Sequence, residues 1–246
     1  MAKTVKLTID GRNITAEEGK TVLQAARDNN IYIPTLCENE AVEPYGACRL
    51  CLVESTNARG RERLVTSCIY QVEEGLTVKT NTDRIVNIRK MLLELLLARC
   101  PESEVVRELA EKVGVTKTRF EKQSGNNSCI LCANCARTCE EVVGVAAISL
   151  ARRGVERELT TPFNEDFSEV CIGCGSCSYV CPTGAISVVD ADGMRTITMP
   201  NVTMEFKLKK CSKCGKYWAP ERQLAYIAKQ AGLAPDAFDV CPDCRD

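Results

Sequence analysis

Cysteine is the residue type in this chain that could do most chemistry, because 17 of the 246 residues are cysteines and none is histidine. Eight of them form two runs with the same C-x2-C-x2-C-x3-C spacing: Cys129, Cys132, Cys135 and Cys139, then Cys171, Cys174, Cys177 and Cys181. In such a doubled pattern, three cysteines of one run and the fourth of the other hold each [4Fe–4S] cluster. The sequence therefore predicts one cluster on Cys129, Cys132, Cys135 and Cys181, and its neighbour on Cys171, Cys174, Cys177 and Cys139.

A separate set of four cysteines lies nearer the start of the chain, with the spacing C-x10-C-x2-C-x16-C: Cys37, Cys48, Cys51 and Cys68. The two-residue gap and the outlying cysteines suit a [2Fe–2S] cluster, and the first gap is longer than the plant-type spacing. A zinc site or free thiols in a small β domain is the alternative interpretation. Small residues in the segment 45–51 would let backbone N–H groups approach the sulfides.

The last set consists of two C-x2-C pairs near the end of the chain: Cys211, Cys214, Cys241 and Cys244. Two such pairs can form a tetrahedral site of four sulfurs, in the manner of zinc ribbons. The pattern predicts zinc and leaves a further iron–sulfur cluster or mononuclear iron open. Of all the cysteines, only Cys100 belongs to none of these sets.

Composition narrows the class of protein. A content of 45% hydrophobic and 26% charged residues is ordinary for a globular protein, and a net charge of −1 gives no general attraction to nucleic acid or anionic membrane. No apolar run approaches the roughly 18 residues of a membrane span, and residues 1–10 lack the apolar core of a signal peptide. We therefore expect a cytoplasmic protein, in which thiols stay reduced and serve as metal ligands.

The absent residue types also exclude mechanisms. Without histidine, Rieske clusters and histidine-based acid–base catalysis are excluded. No glycine-rich nucleotide-binding motif occurs among the 15 glycines. We expect the chain to carry electrons and to do no substrate chemistry itself.

The elements that must position the first cysteine set are predicted from short patterns. Residues 3–9 alternate apolar and polar side chains, and Asp10-Gly11 indicates a hairpin turn. A helix over 21–28 and a loop holding Cys37 follow, which is the order of a β-grasp ferredoxin. Strands are predicted at 52–54, 64–68 and 76–79, the last at the edge of the sheet.

Further along, an N-cap at 82–83 predicts a helix over 85–98, so apolar that we expect it to be buried on several sides. A second helix is predicted over 103–113 and a third over 221–231. Hairpins are predicted within 146–160 and within 186–199. These elements and the cysteine sets together predict an α+β chain of four parts: a [2Fe–2S] ferredoxin-like β-grasp domain at 1–80, a helical linker at 81–125, a two-cluster [4Fe–4S] ferredoxin domain at 126–204, and a four-cysteine metal-binding tail at 205–246.

Two stretches carry a resemblance to a known family. Residues 1–80, with the segment PYGACRLC, and residues 126–200, with the doubled run, resemble the N-terminal part of the large iron–sulfur subunit of complex I. They also resemble the matching subunits of NAD-linked hydrogenases and formate dehydrogenases. Members of this family usually carry, after the long helix, a histidine and three cysteines that bind another [4Fe–4S] cluster.

This chain departs from the family at that cluster. Cys100 stands where the histidine would be, and Glu104, Arg107 and Val113 stand near the expected cysteines. We therefore predict that the cluster is absent. Cys100 is expected to be a buried structural thiol rather than a ligand borrowed by a partner's cluster.

The resemblance implies a non-catalytic electron-transfer subunit of a multi-subunit, flavin- and NAD-linked oxidoreductase. It implies a flavin- and NAD-binding partner subunit, a thioredoxin-like [2Fe–2S] subunit and a catalytic subunit such as a hydrogenase, with an electron-bifurcating or NAD(P)-linked hydrogenase as the favoured complex. A formate dehydrogenase or transhydrogenase complex, a stand-alone ferredoxin-like carrier and a redox sensor are the alternatives. No nucleic-acid partner is expected, because the lysines of the tail are too few: Lys207, Lys209, Lys210 and Lys213.

Overall fold

The computed structural model describes residues 3–123, 128–161, 167–234 and 236–245. The chain forms two compact units, Met1–Cys132 and Ala133–Asp246. Both combine helices with β-sheet, so the predicted α+β class is confirmed. Within the described ranges, no helix is long and apolar enough to cross a membrane.

The first unit is built on a five-stranded sheet with the order β2-β1-β5-β3-β4. Its strands are β1 (Thr4–Ile9), β2 (Arg12–Glu17), β3 (Leu52–Thr56), β4 (Glu62–Thr66) and β5 (Thr77–Lys79). Asp10 and Gly11 join β1 to β2 with φ angles of 48° and 78°, the left-handed conformations that a tight hairpin turn requires. The predicted opening hairpin is therefore confirmed. Helix α1 (Val22–Asp28) begins after the N-cap Thr21, and its apolar residues join the core of this sheet.

Strand β5 lies in the middle of the sheet, so its predicted place at the edge is wrong. It runs parallel to β1 and antiparallel to β3, and β4 takes the edge beyond β3. The short strand could not reveal its neighbours, because the pairing is made by residues far away in the chain. Thr8 N, for example, donates to the carbonyl of Leu76 at 2.8 Å, and Val78 is fully buried.

Two helices complete the first unit: α2 (Asp83–Arg99), with N-cap Thr82, and α3 (Glu104–Lys112), with N-cap Ser103. The expectation that α2 is buried on several sides is wrong. Its Met91 and Leu95 side chains are 40% and 44% exposed, and the buried side includes Arg89. Helix α2 thus packs into the unit along one face, and leaves a short apolar strip exposed.

The second unit contains short helices and two small sheets. The helices are α4 (Asn134–Arg137), a π-helical turn (Thr138–Val142), a 3-10 turn (Gly154–Glu156), α5 (Phe167–Val170), α6 (Ser176–Tyr179), α7 (Glu221–Ala231) and a last 3-10 turn (Pro242–Cys244). The strands are β6 (Ser149–Ala151), β7 (Glu158–Thr160), β8 (Ser187–Ala191), β9 (Met194–Met199), β10 (Val202–Lys210) and β11 (Tyr217–Pro220). Strands β6 and β7 pair as a hairpin, and the other four form a sheet with the order β11-β10-β9-β8.

The long strand β10 is the main element of this unit that sequence reasoning missed. It pairs with β9 over six residues and with β11 near its end, and then leads directly to Cys211. Met204, Phe206 and Leu208 alternate along it and are buried. The predicted helix over 221–231 is confirmed as α7.

Candidate iron–sulfur and metal centres

The four cysteines predicted to hold a [2Fe–2S] cluster are buried thiols of the first unit that lie near enough to interact electrostatically: Cys37, Cys48, Cys51 and Cys68. The backbone N–H of Cys48 donates to the Cys37 sulfur at 3.3 Å. The sulfurs of Cys51 and Cys68 lie 3.4 Å apart, within hydrogen-bond distance. The segment between α1 and β3 carries three of the thiols, Cys68 follows β4, and one backbone amide points at the Cys37 sulfur.

The site already favours negative charge on two of these sulfurs. The hydrogen bond with Cys37 lowers the pKa of Cys48 to about 5 and raises that of Cys37. The hydrogen bond with Cys68 likewise lowers the pKa of Cys51 to about 7 and raises that of Cys68. Because thiolates are the form that ligates metal, a set of buried, partly ionised thiols fits an iron–sulfur cluster.

Gly46 lets the ligand loop take its shape. Its φ angle is 69°, and a Cβ atom there would lie 2.6 Å from Cδ1 of Ile69, beside Cys68. Only glycine combines this conformation with so close an approach. Gly46, two residues before Cys48, is therefore needed for both the turn and the packing.

The two four-cysteine runs start with the same local conformation. Leu131 and Gly173, two residues after the first cysteine of each run, have φ angles of 52° and 74°. Their N–H groups donate to the sulfurs of Cys129 and Cys171, each at 3.4 Å. The internal repeat seen in the sequence is therefore also a repeat of backbone geometry.

The repeat continues at the fourth cysteine of each run. Ala147 N donates to the Cys139 sulfur at 3.3 Å, and Ala185 N donates to the Cys181 sulfur at 3.2 Å. The residue before each of these alanines has a positive φ angle. Cys139 lies in the π-helical turn and is followed by Glu140, whereas Cys181 is followed by a proline. The Cys139 sulfur nevertheless accepts the hydrogen bond from the N–H group of Ala147. Each run thus presents N–H donors to sulfurs, as anionic clusters require.

Within the second unit, four thiols act on one another electrostatically: Cys139, Cys171, Cys174 and Cys177. Burial raises the pKa of Cys177 to about 12, and it also raises the pKa values of Cys139 and Cys171. Neutral thiols at these positions would give up protons on binding a cationic metal centre. The fourth cysteine of the first run therefore stands with the first three of the second run.

The cysteines predicted to hold the other [4Fe–4S] cluster fall in different units. Cys129 and Cys132 belong to the first unit, and Cys135 and Cys181 belong to the second. Cys132 and Cys135 are buried, and the other two are half-buried.

The four cysteines of the tail also come together, with all their sulfurs within 4.8 Å of one another: Cys211, Cys214, Cys241 and Cys244. The sulfur of Cys211 accepts hydrogen bonds from the N–H groups of Cys241 at 3.3 Å and Cys214 at 3.5 Å. These amides lower its pKa to about 6. Sulfurs at this spacing, one of them already disposed to be a thiolate, fit a metal ion.

Cys100 is fully buried, as predicted. Its thiol donates to the carbonyl of Leu96 at 3.0 Å, and burial raises its pKa to about 12. It belongs to an apolar cluster of the first unit that also contains Cys37, Cys48 and Cys132. A neutral thiol with a satisfied donor in such a place fits a packing role.

Sequence reasoning missed Arg195, on β9. Its Nη1 atom donates to the carbonyl oxygens of Gly173 at 3.2 Å and Cys174 at 3.5 Å, inside the second ligand run. Two further hydrogen bonds join its guanidinium to the carboxylate of Asp190, at 2.7 and 2.8 Å. The ion pair across the hairpin could have been proposed from the sequence, but nothing local indicates the contact with residues 173 and 174.

Comparison with known families identifies the modules. Residues 2–83 match the 2Fe–2S iron–sulfur cluster binding domain. Residues 128–185 match one 4Fe–4S dicluster domain model, and residues 164–217 match another.

Individual relatives are oxidoreductase subunits. The G 2 subunit of the NADH-quinone oxidoreductase of Rhizobium meliloti is 34% identical over 208 residues, which cover 74% of this chain and 24% of the relative. The NADP-reducing hydrogenase subunit HndD of Solidesulfovibrio fructosivorans is 32% identical, over 73% of this chain and 35% of the relative. This chain thus spans about a quarter to a third of the length of these curated relatives.

A solved structure agrees with these relatives. A chain in the crystal structure of an NAD+-reducing [NiFe]-hydrogenase, in the H2-reduced state, matches with a TM-score of 0.63 and 27% sequence identity. The match covers 73% of this chain and 85% of that one. Over about three quarters of its length, this chain is therefore homologous to part of the G subunits of NADH-quinone oxidoreductases and to part of the HndD subunit of an NADP-reducing hydrogenase.

Proposed function

We propose that this chain is the electron-transfer subunit of a multi-subunit NAD(P)-linked oxidoreductase. The observation that carries the proposal is that one chain contains three cysteine sets with cluster spacing, and that eight of these thiols form two interacting groups. Cys37, Cys48, Cys51 and Cys68 are buried, whereas Cys139, Cys171, Cys174 and Cys177 range from half-buried to buried. The relatives that this chain matches are subunits of quinone-linked and hydrogen-linked enzymes. Such clusters supply one-electron redox chemistry over a wide range of potentials.

The proposed ligands follow the three sets. The [2Fe–2S] cluster would be held by Cys37, Cys48, Cys51 and Cys68. One [4Fe–4S] cluster would be held by Cys139, Cys171, Cys174 and Cys177, whose thiols interact in the second unit. The other would be held by Cys129, Cys132, Cys135 and Cys181, and rests on the spacing alone.

The chain's own residues have two tasks in this proposal. Full or partial burial of the cysteines limits the access of water, and backbone N–H groups point at the sulfurs of Cys37, Cys129, Cys139, Cys171 and Cys181. Hydrogen bonds to sulfur and restricted solvent access are among the factors that set cluster potentials. The fold therefore tunes electron carriers, and the two-electron chemistry of NAD(P)H is left to a partner.

The proposed partners are a flavin- and NAD-binding subunit, a thioredoxin-like [2Fe–2S] subunit and a hydrogenase, in an electron-bifurcating or NAD(P)-linked complex in the cytoplasm. The support is the hydrogenase identity of two relatives. The exposed Met91 and Leu95 on α2 favour a subunit over a stand-alone carrier, because a partner would bury them. A formate dehydrogenase or transhydrogenase complex remains the second candidate.

For the tail we propose a single zinc ion rather than a cluster. A zinc–sulfur bond of about 2.3 Å places tetrahedral sulfurs about 3.8 Å apart. The Cys214 and Cys241 sulfurs are 3.7 Å apart, and all four lie within 4.8 Å of one another. A [4Fe–4S] cube would hold the four sulfurs farther apart, because each ligates a different iron at a different corner. Mononuclear iron has the same geometry and is separated from zinc by metal analysis.

The test is anaerobic purification of the full chain, followed by metal, acid-labile sulfide and activity measurements. We expect about ten iron atoms with equal sulfide, about one zinc, and no reduction of dyes by NADH or NADPH. Dithionite should reduce the clusters, and a flavin subunit added back should restore the link to NAD(P)H. A chain that oxidised NADH alone, or that held only about six iron atoms, would contradict the proposal.

A further inference from the structure

Helix α7 lies against both segments that deliver the ligands of one proposed cluster. Tyr226 donates through its hydroxyl to the carbonyl oxygens of Val143 at 3.3 Å and Gly144 at 3.4 Å, just after Cys139. One helical turn earlier, Arg222 donates to the carbonyl of Glu169, two residues before Cys171. Since residues four apart share a helix face, one side of α7 touches both segments.

The same ligand run is supported from strand β10. A Cβ atom on Gly173 would lie 2.6 Å from Cγ of Phe206, so the phenyl ring packs directly on the backbone between Cys171 and Cys174. Phe206 is 3% exposed. The start of this ligand run therefore packs against the ring of Phe206, and α7, with its buried Leu224 and Ala228, lies against β10.

The four-cysteine site of the tail connects these two elements. Cys211 follows β10, and Cys241 and Cys244 follow α7. Between them, Lys209 forms an ion pair with Asp239 at 2.6 Å, and Ser212 N donates to the carbonyl of Asp239 at 2.9 Å. A metal ion held by the four sulfurs would fix the chain before α7 relative to the chain after it.

Charge adds a second effect to this contact. The hydrogen bond to the carbonyl of Glu169 holds the guanidinium of Arg222 beside the residues that lead into Cys171, and its charge favours the anionic form of that sulfur, although burial raises the pKa of Cys171 overall. A cluster that accepts an electron gains negative charge, and a nearby cation stabilises the reduced state and raises the potential. Arg195 also lies against residues 173 and 174, but Asp190 holds it in a bidentate ion pair that offsets its charge.

We propose that α7 is a clamp on the [4Fe–4S] cluster of Cys139, Cys171, Cys174 and Cys177, in which Arg222 raises the reduction potential of that cluster and Tyr226 holds the Cys139 segment in place. Both are positioning residues, and neither is a ligand. The proposal rests on the ligand assignment made under the proposed function. It gives the tail a role in electron transfer, although the tail carries none of the twelve cluster cysteines.

The test compares variants of the full, cluster-loaded chain in a potentiometric titration that is monitored by electron paramagnetic resonance. Arg222→Gln removes the charge and keeps a donor. Arg222→Lys keeps the charge, and Lys229→Gln is the matched control, because it removes an exposed charge from the same helix. We expect Arg222→Gln to lower the midpoint potential of one [4Fe–4S] cluster by about 30 mV. For a one-electron couple this corresponds to about a threefold change in the ratio of reduced to oxidised cluster.

The shift should shrink at high salt, since Arg222 is exposed and its charge is screened. The [2Fe–2S] signal, the other [4Fe–4S] signal, and both control variants should stay at the wild-type potentials. Tyr226→Phe should leave the potential nearly unchanged and speed the loss of iron from the same cluster to a chelator. A uniform shift of all clusters, or no shift in a fully loaded Arg222→Gln chain, would overturn the proposal.

Failure of the ligand assignment gives a different result. Cys171→Ser should remove the cluster whose potential Arg222→Gln shifts. If the wild-type chain takes up about ten iron atoms and Cys171→Ser removes a different cluster from the one that is shifted, the clamp is wrong and the electron-transfer function stands. If the wild-type chain takes up no [4Fe–4S] cluster, the proposed function itself fails.

Discussion

The guanidinium of Arg89 donates from its Nε atom to the carbonyl oxygen of Leu50, at 3.0 Å, next to the proposed cluster ligand Cys51. Its Nη2 atom donates to the carbonyl of Leu52 at the same distance. Arg89 is 5% exposed, and desolvation lowers its pKa. Helix α2 is thus fastened to the backbone on both sides of Cys51 by one buried cation.

Replacing Arg89 by methionine should destabilise the first unit and its [2Fe–2S] site. The variant loses two hydrogen bonds from a charged group and leaves one buried and one half-buried carbonyl without that donor, which costs about 3 kcal/mol in total. The measurement is the urea unfolding transition, monitored through the visible absorption of the [2Fe–2S] cluster. Arg84→Met, on the exposed side of the same helix, is the control and should change the free energy of unfolding little. Equal stabilities of the two variants would contradict the fastening role.

Gly46→Ala should weaken the [2Fe–2S] site selectively. The left-handed conformation costs about 1 kcal/mol for alanine, and the new methyl group would meet the end of Ile69. Gly60→Ala is the matched control, because Gly60 has a φ angle of 75° but nothing within 4 Å of a Cβ atom. We expect lower [2Fe–2S] occupancy only for Gly46→Ala, measured by circular dichroism in the visible range, and partial recovery in a double variant with Ile69→Ala.

The cross-ligation predicts opposite results for two serine substitutions. Cys139→Ser should damage the cluster that contains Cys171, Cys174 and Cys177, whose thiols it approaches. Cys181→Ser should instead damage the cluster built on Cys129, Cys132 and Cys135. The test combines each substitution with Cys171→Ser. The number of [4Fe–4S] signals that remain shows which cysteines share a cluster. Loss of a second cluster in the Cys139→Ser, Cys171→Ser double variant would exclude the pairing.

Zinc affinity of the tail should rise with pH. The pKa of Cys211 is lowered to about 6, so this thiol is already ionised at neutral pH. In contrast, the hydrogen bond between Cys244 and Cys241 raises the pKa of Cys244 to about 12. Zinc must then displace at least one proton, which strengthens binding about tenfold for each pH unit and each proton. Competition with a chromophoric chelator at pH 6, 7 and 8 measures the slope. A flat profile would show that no proton is released.

The parts of the fold that sequence reasoning captured depend on neighbours in the chain. The N-cap Thr82, the hairpin turn at Asp10-Gly11 and the helix Glu221–Ala231 are all set by patterns of a few residues. The cysteine sets belong to the same class, because their spacing reflects the geometry of one small cluster. The four tail sulfurs do come together as expected.

What could not be predicted depends on distant pairing. The three residues of β5 show no pattern that separates a central strand from an edge strand, and their place follows from β1 and β3. The apolar letters of α2 do not reveal that Arg89 is buried while Met91 and Leu95 are exposed. Likewise Arg222 and Tyr226 meet partners 53 and 83 residues away, which no local signal indicates.

Strand β10 has a consequence for attempts to shorten this protein. A truncated form that ended after Met199 would keep all twelve cluster cysteines, and by that count would be a minimal electron carrier. It would also strip β9 of six paired residues and uncover Ile197 and Met199, which are now buried. An exposed strand edge with apolar neighbours pairs readily with other chains. Such a fragment should aggregate. Residues 200–246 are therefore needed to keep the two-cluster ferredoxin domain soluble.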